Sequence, residues 1–221
     1  MDTSITYIPV TAKVKHKRWT GKLTVPYIKI TGPGVVVGGG EPLLIGTPIA
    51  KATESGLGDV IASIGYTLPI DYPGLSADFT GKIKFPTADD GERLGTGNAD
   101  YTLQAGLTRV IDDMFLTGNV GRKLNGSSPD YRVNDIWKFS VGGGYTITNS
   151  ASVGAVYDFR QAGAHTGSDF SQITGFVTYK LTDNWSAQVH AGSGFTDATP
   201  DLSTGINLSY KFDTMTLITE R

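Results

Sequence analysis

The side chains able to do chemistry in this 221-residue chain are, above all, lysines that alternate with uncharged residues. Gly81-Lys82-Ile83-Lys84-Phe85 sets two ammonium groups on one face of an extended segment and only uncharged groups on the other. Lys13, Lys22, Lys138, Arg160, Lys180 and Lys211 hold the same phase in other segments, as do the acids Asp59, Asp78, Asp100 and Asp158. If these faces enclose a pore, it carries a surplus of about four positive charges, and such a belt attracts anions and selects by field rather than by shape. If the lysines and aspartates pair with one another, they close the interior and serve structure only. The residues alone leave both readings open.

Other candidate chemistry is thin. His165, Ser168 and Asp169 fall in one connection, too close together for triad geometry and without an oxyanion motif. His190 stands alone on a polar face, where a hydrogen bond suits it better than a metal. Asp89, Asp90 and Glu92 form an acidic patch of the kind that is usually solvated or bridges lipopolysaccharide through calcium. Gly38-Gly39-Gly40 lacks the Gly-Lys-Ser/Thr ending of a phosphate loop. With no cysteine, thiolate chemistry and disulfides are excluded. No catalytic residue, metal site or cofactor is expected, and the chain reads as no enzyme. A net charge of -2 argues against a nucleic-acid partner.

The elements that position these side chains follow from hydrophobic period. Apolar or small residues recur every second position in about eleven segments, among them Val60 to Leu68, Ala77 to Phe85, Tyr101 to Leu107, Met114 to Val120, Trp137 to Tyr145 and Ile173 to Leu181. Most are near the ~9–11 residues with which a tilted strand crosses a bilayer. No stretch is apolar enough for a membrane helix, and mean hydropathy is -0.11. A membrane barrel averages to that same value, because its lipid-facing and interior residues alternate. No apolar face in these segments carries a charge. A soluble sandwich of eleven such strands would need an unusually large core, whereas a membrane barrel turns those faces to lipid.

Connections alternate in length: short at 16–18, 70–76, 109–113, 146–150 and 182–184, long at 29–55, 87–98, 123–131, 161–169 and 195–201. Short turns on one rim and long loops on the other match outer-membrane barrels. Loop 29–55 is glycine-rich and apolar at 35–37 and 43–45, which suggests insertion into the barrel or contact with lipopolysaccharide or an apolar solute. Trp19, Tyr66, Tyr145, Tyr179 and Trp185 gather beside the short turns as an expected membrane-interface girdle, with Tyr27, Phe85, Tyr101 and Phe159 near the other rim.

The final strand, Gly205-Ile206-Asn207-Leu208-Ser209-Tyr210-Lys211-Phe212, resembles the C-terminal assembly signal of bacterial outer-membrane barrels, with Gly205, Leu208, Tyr210 and Phe212 as its key positions. That resemblance implies the barrel-assembly machinery as a partner. Residues 213–221 run on as an extension of the barrel at 1–212. Eleven strands is an odd number and bacterial barrels are even, so one ascending strand and a signal peptide are expected upstream of a twelve-stranded barrel.

Several segments together resemble the bacterial outer-membrane family named for the MetA pathway of phenol degradation: residues 3–14 (TSITYIPVTAKV), 19–32 (WTGKLTVPYIKITG), 55–66 (SGLGDVIASIGY) and 81–101 (GKIKFPTADDGERLGTGNADY). The more specific parts are Gly56-Leu57-Gly58-Asp59 and the Lys84-Phe85-Pro86-Thr87, Gly95-Thr96-Gly97 and Asp100-Tyr101 pieces. The resemblance implies an outer-membrane transporter. The expectation is therefore an all-β, transmembrane, antiparallel up-and-down barrel, set among outer-membrane lipid and lipopolysaccharide, that passes small anionic or aromatic solutes. The alternatives are a structural or adhesive barrel and a soluble β-barrel carrier.

Overall fold

A computed structural model describes residues 3–32, 35–38, 41–44, 52–88, 94–126, 133–163 and 167–212. Alternation becomes sheet along nearly all of this length. The strands are β1 (Ser4–His16), β2 (Trp19–Gly32), β3 (Val35–Gly38), β4 (Glu41–Leu44), β5 (Ala52–Leu57), β6 (Ile61–Thr67) and β7 (Leu75–Lys84), followed by β8 (Asp100–Ile111), β9 (Met114–Leu124), β10 (Ile136–Thr148), β11 (Ala151–Arg160), β12 (Phe170–Lys180), β13 (Trp185–Gly194) and β14 (Ser203–Tyr210). One antiparallel meander runs β1-β2-β6-β7-β8-β9-β10-β11-β12-β13-β14, and β5 pairs with the upper half of β2.

The meander holds the eleven expected strands, but the described residues of the connection expected over 29–55 are themselves strand. β2 continues through Gly32, β5 pairs with its residues 27–32, and β3 and β4 form a separate hairpin. Ile45 and the acidic patch Asp89, Asp90 and Glu92 lie outside the described residues, as does His165. The turns between β1 and β2 and between β8 and β9 are two residues long, and Lys17 and Asp112 take positive φ (52° and 49°) to make them.

The sheet curls upon itself: Tyr7 and Pro9 of β1 share a cavity with Lys138 of β10. Its faces are those of a membrane barrel. Outward residues are apolar and open, with Val10 at 71%, Leu103 at 69% and Val141 at 61% exposure, while the buried apolar core among the described residues is confined to Ile28, Ile30, Leu94 and Ile136. In water this is an inverted protein; in hydrocarbon it is the expected one. Trp19 packs on Tyr66 (ring centroids 4.7 Å) and Trp185 on Tyr210 (4.9 Å), both at the short-turn rim. The exposed rings of Tyr145 and Tyr179 lie at the same end.

Inside, the glycines of β10 and β11 form a floor for aromatic rings. A Cβ on Gly144 would lie 2.4 Å from the Phe115 ring, and one on Gly154 would lie 2.5 Å from that of Phe176. Phe115 and Phe176 thus lie over these glycines on the inner face.

Val141 and Ser140 are neighbours in mid-β10 with opposite faces. Val141→Arg is expected to cost about 2–4 kcal/mol of folding stability in vesicles, as for a cation at the bilayer midplane, with Ser140→Arg costing less. Urea unfolding of the reconstituted protein checks this, and equal effects would contradict the face assignment.

Candidate functional site

The interior is organised around an interruption in one strand. β6 pairs with residues 19–24 of β2 and β5 with residues 27–32, so Gly58, Asp59 and Val60 step out of the ladder between them. Pro26, which has no N–H to give, sits opposite the break, and its carbonyl accepts from the Gly58 N–H at 2.9 Å. A Cβ at position 58 would come 2.4 Å from Ile28 Cδ1, so any larger residue must displace the buried Ile28 side chain. The step turns Asp59 inward to complete burial.

There Asp59 meets the end of β7. Lys84 Nζ lies 2.9 Å from Asp59 Oδ2 and 3.2 Å from Asp100 Oδ2, and donates to Thr96 Oγ1 at 2.7 Å. Lys123 Nζ is 3.1 Å from Asp100 Oδ2. The remaining carboxylate oxygens accept backbone N–H groups, Asp59 Oδ1 from Ala88 (3.1 Å) and Asp100 Oδ1 from Gly126 (3.0 Å). Two cations and two anions, each at most 6% exposed, form a compensated buried network. Around it, Thr87 Oγ1 accepts from the Val60 N–H (2.9 Å), and Leu94 is buried against Ile28 and Ile30. The cluster therefore straps the β7–β8 connection against the inner wall at the long-loop end.

Lys84 and Asp100 therefore follow the second of the two readings that the sequence leaves open: they pair with each other in the network, at the edge of the first cavity. Other charges do line the open interior. One cavity of about 530 Å³ is bordered by Lys22, Asp78, Lys82 and Lys138, together with the edge of the network. A second, of about 870 Å³, is bordered by Lys82, Lys138, Asp158, Arg160 and His190. Outside the network these cavities see four cations and two carboxylates, a smaller surplus than the sequence suggested.

Lys82 starts a hydrogen-bonded row across the inner wall. Its Nζ donates to Gln104 Oε1 (3.1 Å), Gln104 Nε2 to Asn119 Oδ1 (3.1 Å) and Asn119 Nδ2 to Ser140 Oγ (3.2 Å). Lys138 and Arg160 are direct cross-strand partners, with Asp158 beside them opposite Ser140. The Arg160 guanidinium lies 4.0 Å over the Phe170 ring.

Of the remaining candidates, Lys13, Lys180 and Lys211 border neither cavity, whereas Gly205 and Leu208 line the second. Lys180 is at the short-turn rim with its Nζ 2.9 Å from Asp183 Oδ1, so it clasps the β12–β13 turn and is no interior charge. That ammonium holds the Asp183 carboxyl below its ordinary range. Lys211 follows the end of β14, and Lys13 lies exposed on the edge strand β1. Gly205 packs under His190, where a Cβ would come 2.6 Å from the ring, and Leu208, Tyr210 and Phe212 point outward, Tyr210 meeting Phe212 edge-on at 4.7 Å. Sequence reasoning missed Lys123, Thr96 and Leu94. Leu94 and Thr96 fall within the resembling segment 81–101, whose density of charge and glycine was the signal that could have found them; Lys123 lies outside every such segment.

A family model described as "Putative MetA-pathway of phenol degradation" matches residues 4–212. Among solved structures, the crystal structure of an outer membrane channel from Pseudomonas putida is similar in fold, with a TM-score of 0.69 at 12% identity over 94% of this chain and 82% of that one. No curated protein matches the sequence.

Removing the central cation of the network strands the buried Asp59 carboxylate and leaves Asp100 with Lys123 alone. Lys84→Ala is expected to cost about 3–5 kcal/mol, and the double change Lys84→Met with Asp59→Asn to recover much of that loss. Urea unfolding in vesicles measures both, and a single-variant loss below about 1 kcal/mol would contradict a buried, coupled cluster.

Proposed function

The chain belongs to the family of that description, and we propose that it is an outer-membrane channel passing small anionic or aromatic solutes through a basic interior. The observation that carries this reading is the cationic wall of Lys82, Lys138 and Arg160 around one cavity, behind an outer face of apolar side chains. Lys138 and Arg160 are direct cross-strand neighbours with Asp158 beside them, so with Lys82 this wall keeps a net positive charge. The similar fold of a protein that is itself an outer membrane channel supports the same reading.

Solute enters on the long-loop side, past the strapped β7–β8 connection, and meets the cations next. The amide and hydroxyl row from Gln104 to Ser140 offers donors and acceptors that replace part of its hydration. Phe115 and Phe176 then narrow the short-turn half with rings on which an aromatic solute can slide. Trp19, Tyr66, Tyr145, Tyr179 and Trp185 hold the short-turn rim at the headgroup level. The Gly205 to Phe212 strand serves as the signal read by the assembly machinery, in a membrane of lipid and lipopolysaccharide.

Lys82→Glu tests the field. Reversing one charge about 6 Å from a passing ion changes that ion's energy by of order 1 kcal/mol in water, less after salt screening. The reversal potential in a salt gradient across a planar bilayer should therefore move toward cation preference. Lys180→Glu, at the exposed rim, should move it far less, and an unchanged potential in Lys82→Glu would overturn the basic-interior reading.

A further inference from the structure

The inner face of the sheet is layered, because antiparallel pairing sets residues of neighbouring strands side by side at one depth. One layer differs from those beside it. The register runs from Phe115 to Gly144, Gly154, Phe176, His190 and Gly205, so six consecutive strands, β9 to β14, contribute three rings and three glycines. Each ring has a glycine of the adjacent strand to itself. A Cβ on Gly205 would lie 2.6 Å from both Cε1 and Nε2 of His190, just as a Cβ on Gly144 or Gly154 would meet the tip of Phe115 or Phe176. The far end of every ring therefore occupies the space of a missing Cβ, and the rings lie along the wall. The layers on either side hold no ring. On β12 to β14, Thr174, Gly192 and Ser203 follow toward the long loops, and Thr178, Gln188 and Asn207 toward the short turns.

We infer that this row is the size filter of the lumen, and that Gly144, Gly154 and Gly205 set its bore by letting the rings lie flat; the filter rests on the channel reading above. A ring lying on the wall adds one van der Waals layer to it, about 3.5–4 Å. The same ring upright projects its full length toward the axis, and the neighbouring glycine decides between the two. A ring laid over a glycine also supports a strand that the glycine weakens, but that packing calls for no particular depth. Here all three pairs share one depth and join into a belt across six of the eleven strands of the meander. The cation wall lies at another level. Lys138 and Gly144 on β10, like Arg160 and Gly154 on β11, are six residues apart, about 20 Å along the strand. No small solute spans that distance, so charge is read at one level and cross-section at the other.

Gly205→Ala is the clean probe, because the three atoms nearest its Cβ all belong to the His190 ring, whereas Cβ atoms at 144 and 154 would also press on the carbonyls of Val153 and Gly143. In planar bilayers this variant should lower single-channel conductance at least about twofold and admit only smaller polyethylene glycols than the parent. Adding His190→Ala to the same chain should restore both, because the lifted ring is gone. Phe115→Ala with Phe176→Ala, which keeps every glycine, should raise conductance and size cut-off and leave the reversal potential in a salt gradient unchanged. Heat-modifiable gel mobility shows which variants have folded, and the phenylalanine pair decides alone if Gly205→Ala has not. Parental conductance and cut-off in these variants would overturn the filter in favour of rings that only pack the wall. A loss in Gly205→Ala that His190→Ala does not relieve would overturn it as a disturbance of β14 itself. A silent parent chain would overturn the channel reading and the filter with it, whereas a conducting parent with unresponsive variants overturns the filter alone.

Discussion

A strand surrounded by hydrocarbon can place its backbone N–H and C=O groups only on another strand, and the rest of this structure follows from that constraint. It demands a continuous ladder, realised from β1 to β14 in consecutive antiparallel register. Neighbours must then be joined in sequence, so turns can be as short as Lys17-Arg18 and Asp112-Asp113 on one rim while the other rim is free to grow loops. Side chains are forced to alternate between lipid and interior, which places Val141 outside and Ser140 inside although they are adjacent in sequence. Exposed valine and leucine with buried lysine is the consequence, and it inverts the pattern of a protein folded in water.

Burying charge in such an interior requires compensation, and the break at Gly58 shows how it is arranged. Pro26 and Gly58 interrupt one ladder, Asp59 swings inward, and Lys84, Asp100 and Lys123 complete a neutral cluster. The cost of desolvating four charges makes this weak evidence for stability but a good way to fix one conformation. What is fixed is the β7–β8 connection, strapped across the long-loop end by Thr96 and Leu94. Interior charges consequently divide into two groups. Those in the network neutralise one another, and those below it, Lys82, Lys138 and Arg160 with Asp158, line the larger cavity.

Strand positions were legible because period two is a local signal, and the alternation of loop lengths placed both rims. The continuation of β2 through Gly32 was not legible. Residues 28–32 are held by pairing with β5, twenty or more positions away, and a long-range partner leaves no mark on local pattern. Lys82 and Lys84 look alike in sequence, two positions apart on one face. Only the break at Gly58, on another strand, decides that Lys84 is buried by Asp59 while Lys82 faces the cavity. Phe115 and Phe176 fall on the face expected to be polar, and they fit there because Gly144 and Gly154 leave room beneath their rings.

The central claim is that one face of each strand meets lipid and the other meets a water-filled interior. Single cysteines placed along β10 at residues 137–141, in a chain with none of its own, test it through the rate of labelling by a membrane-impermeant maleimide in vesicles. The account predicts rapid labelling at Lys138→Cys and Ser140→Cys and protection at Phe139→Cys and Val141→Cys. Uniform labelling, or protection of all four, would contradict it.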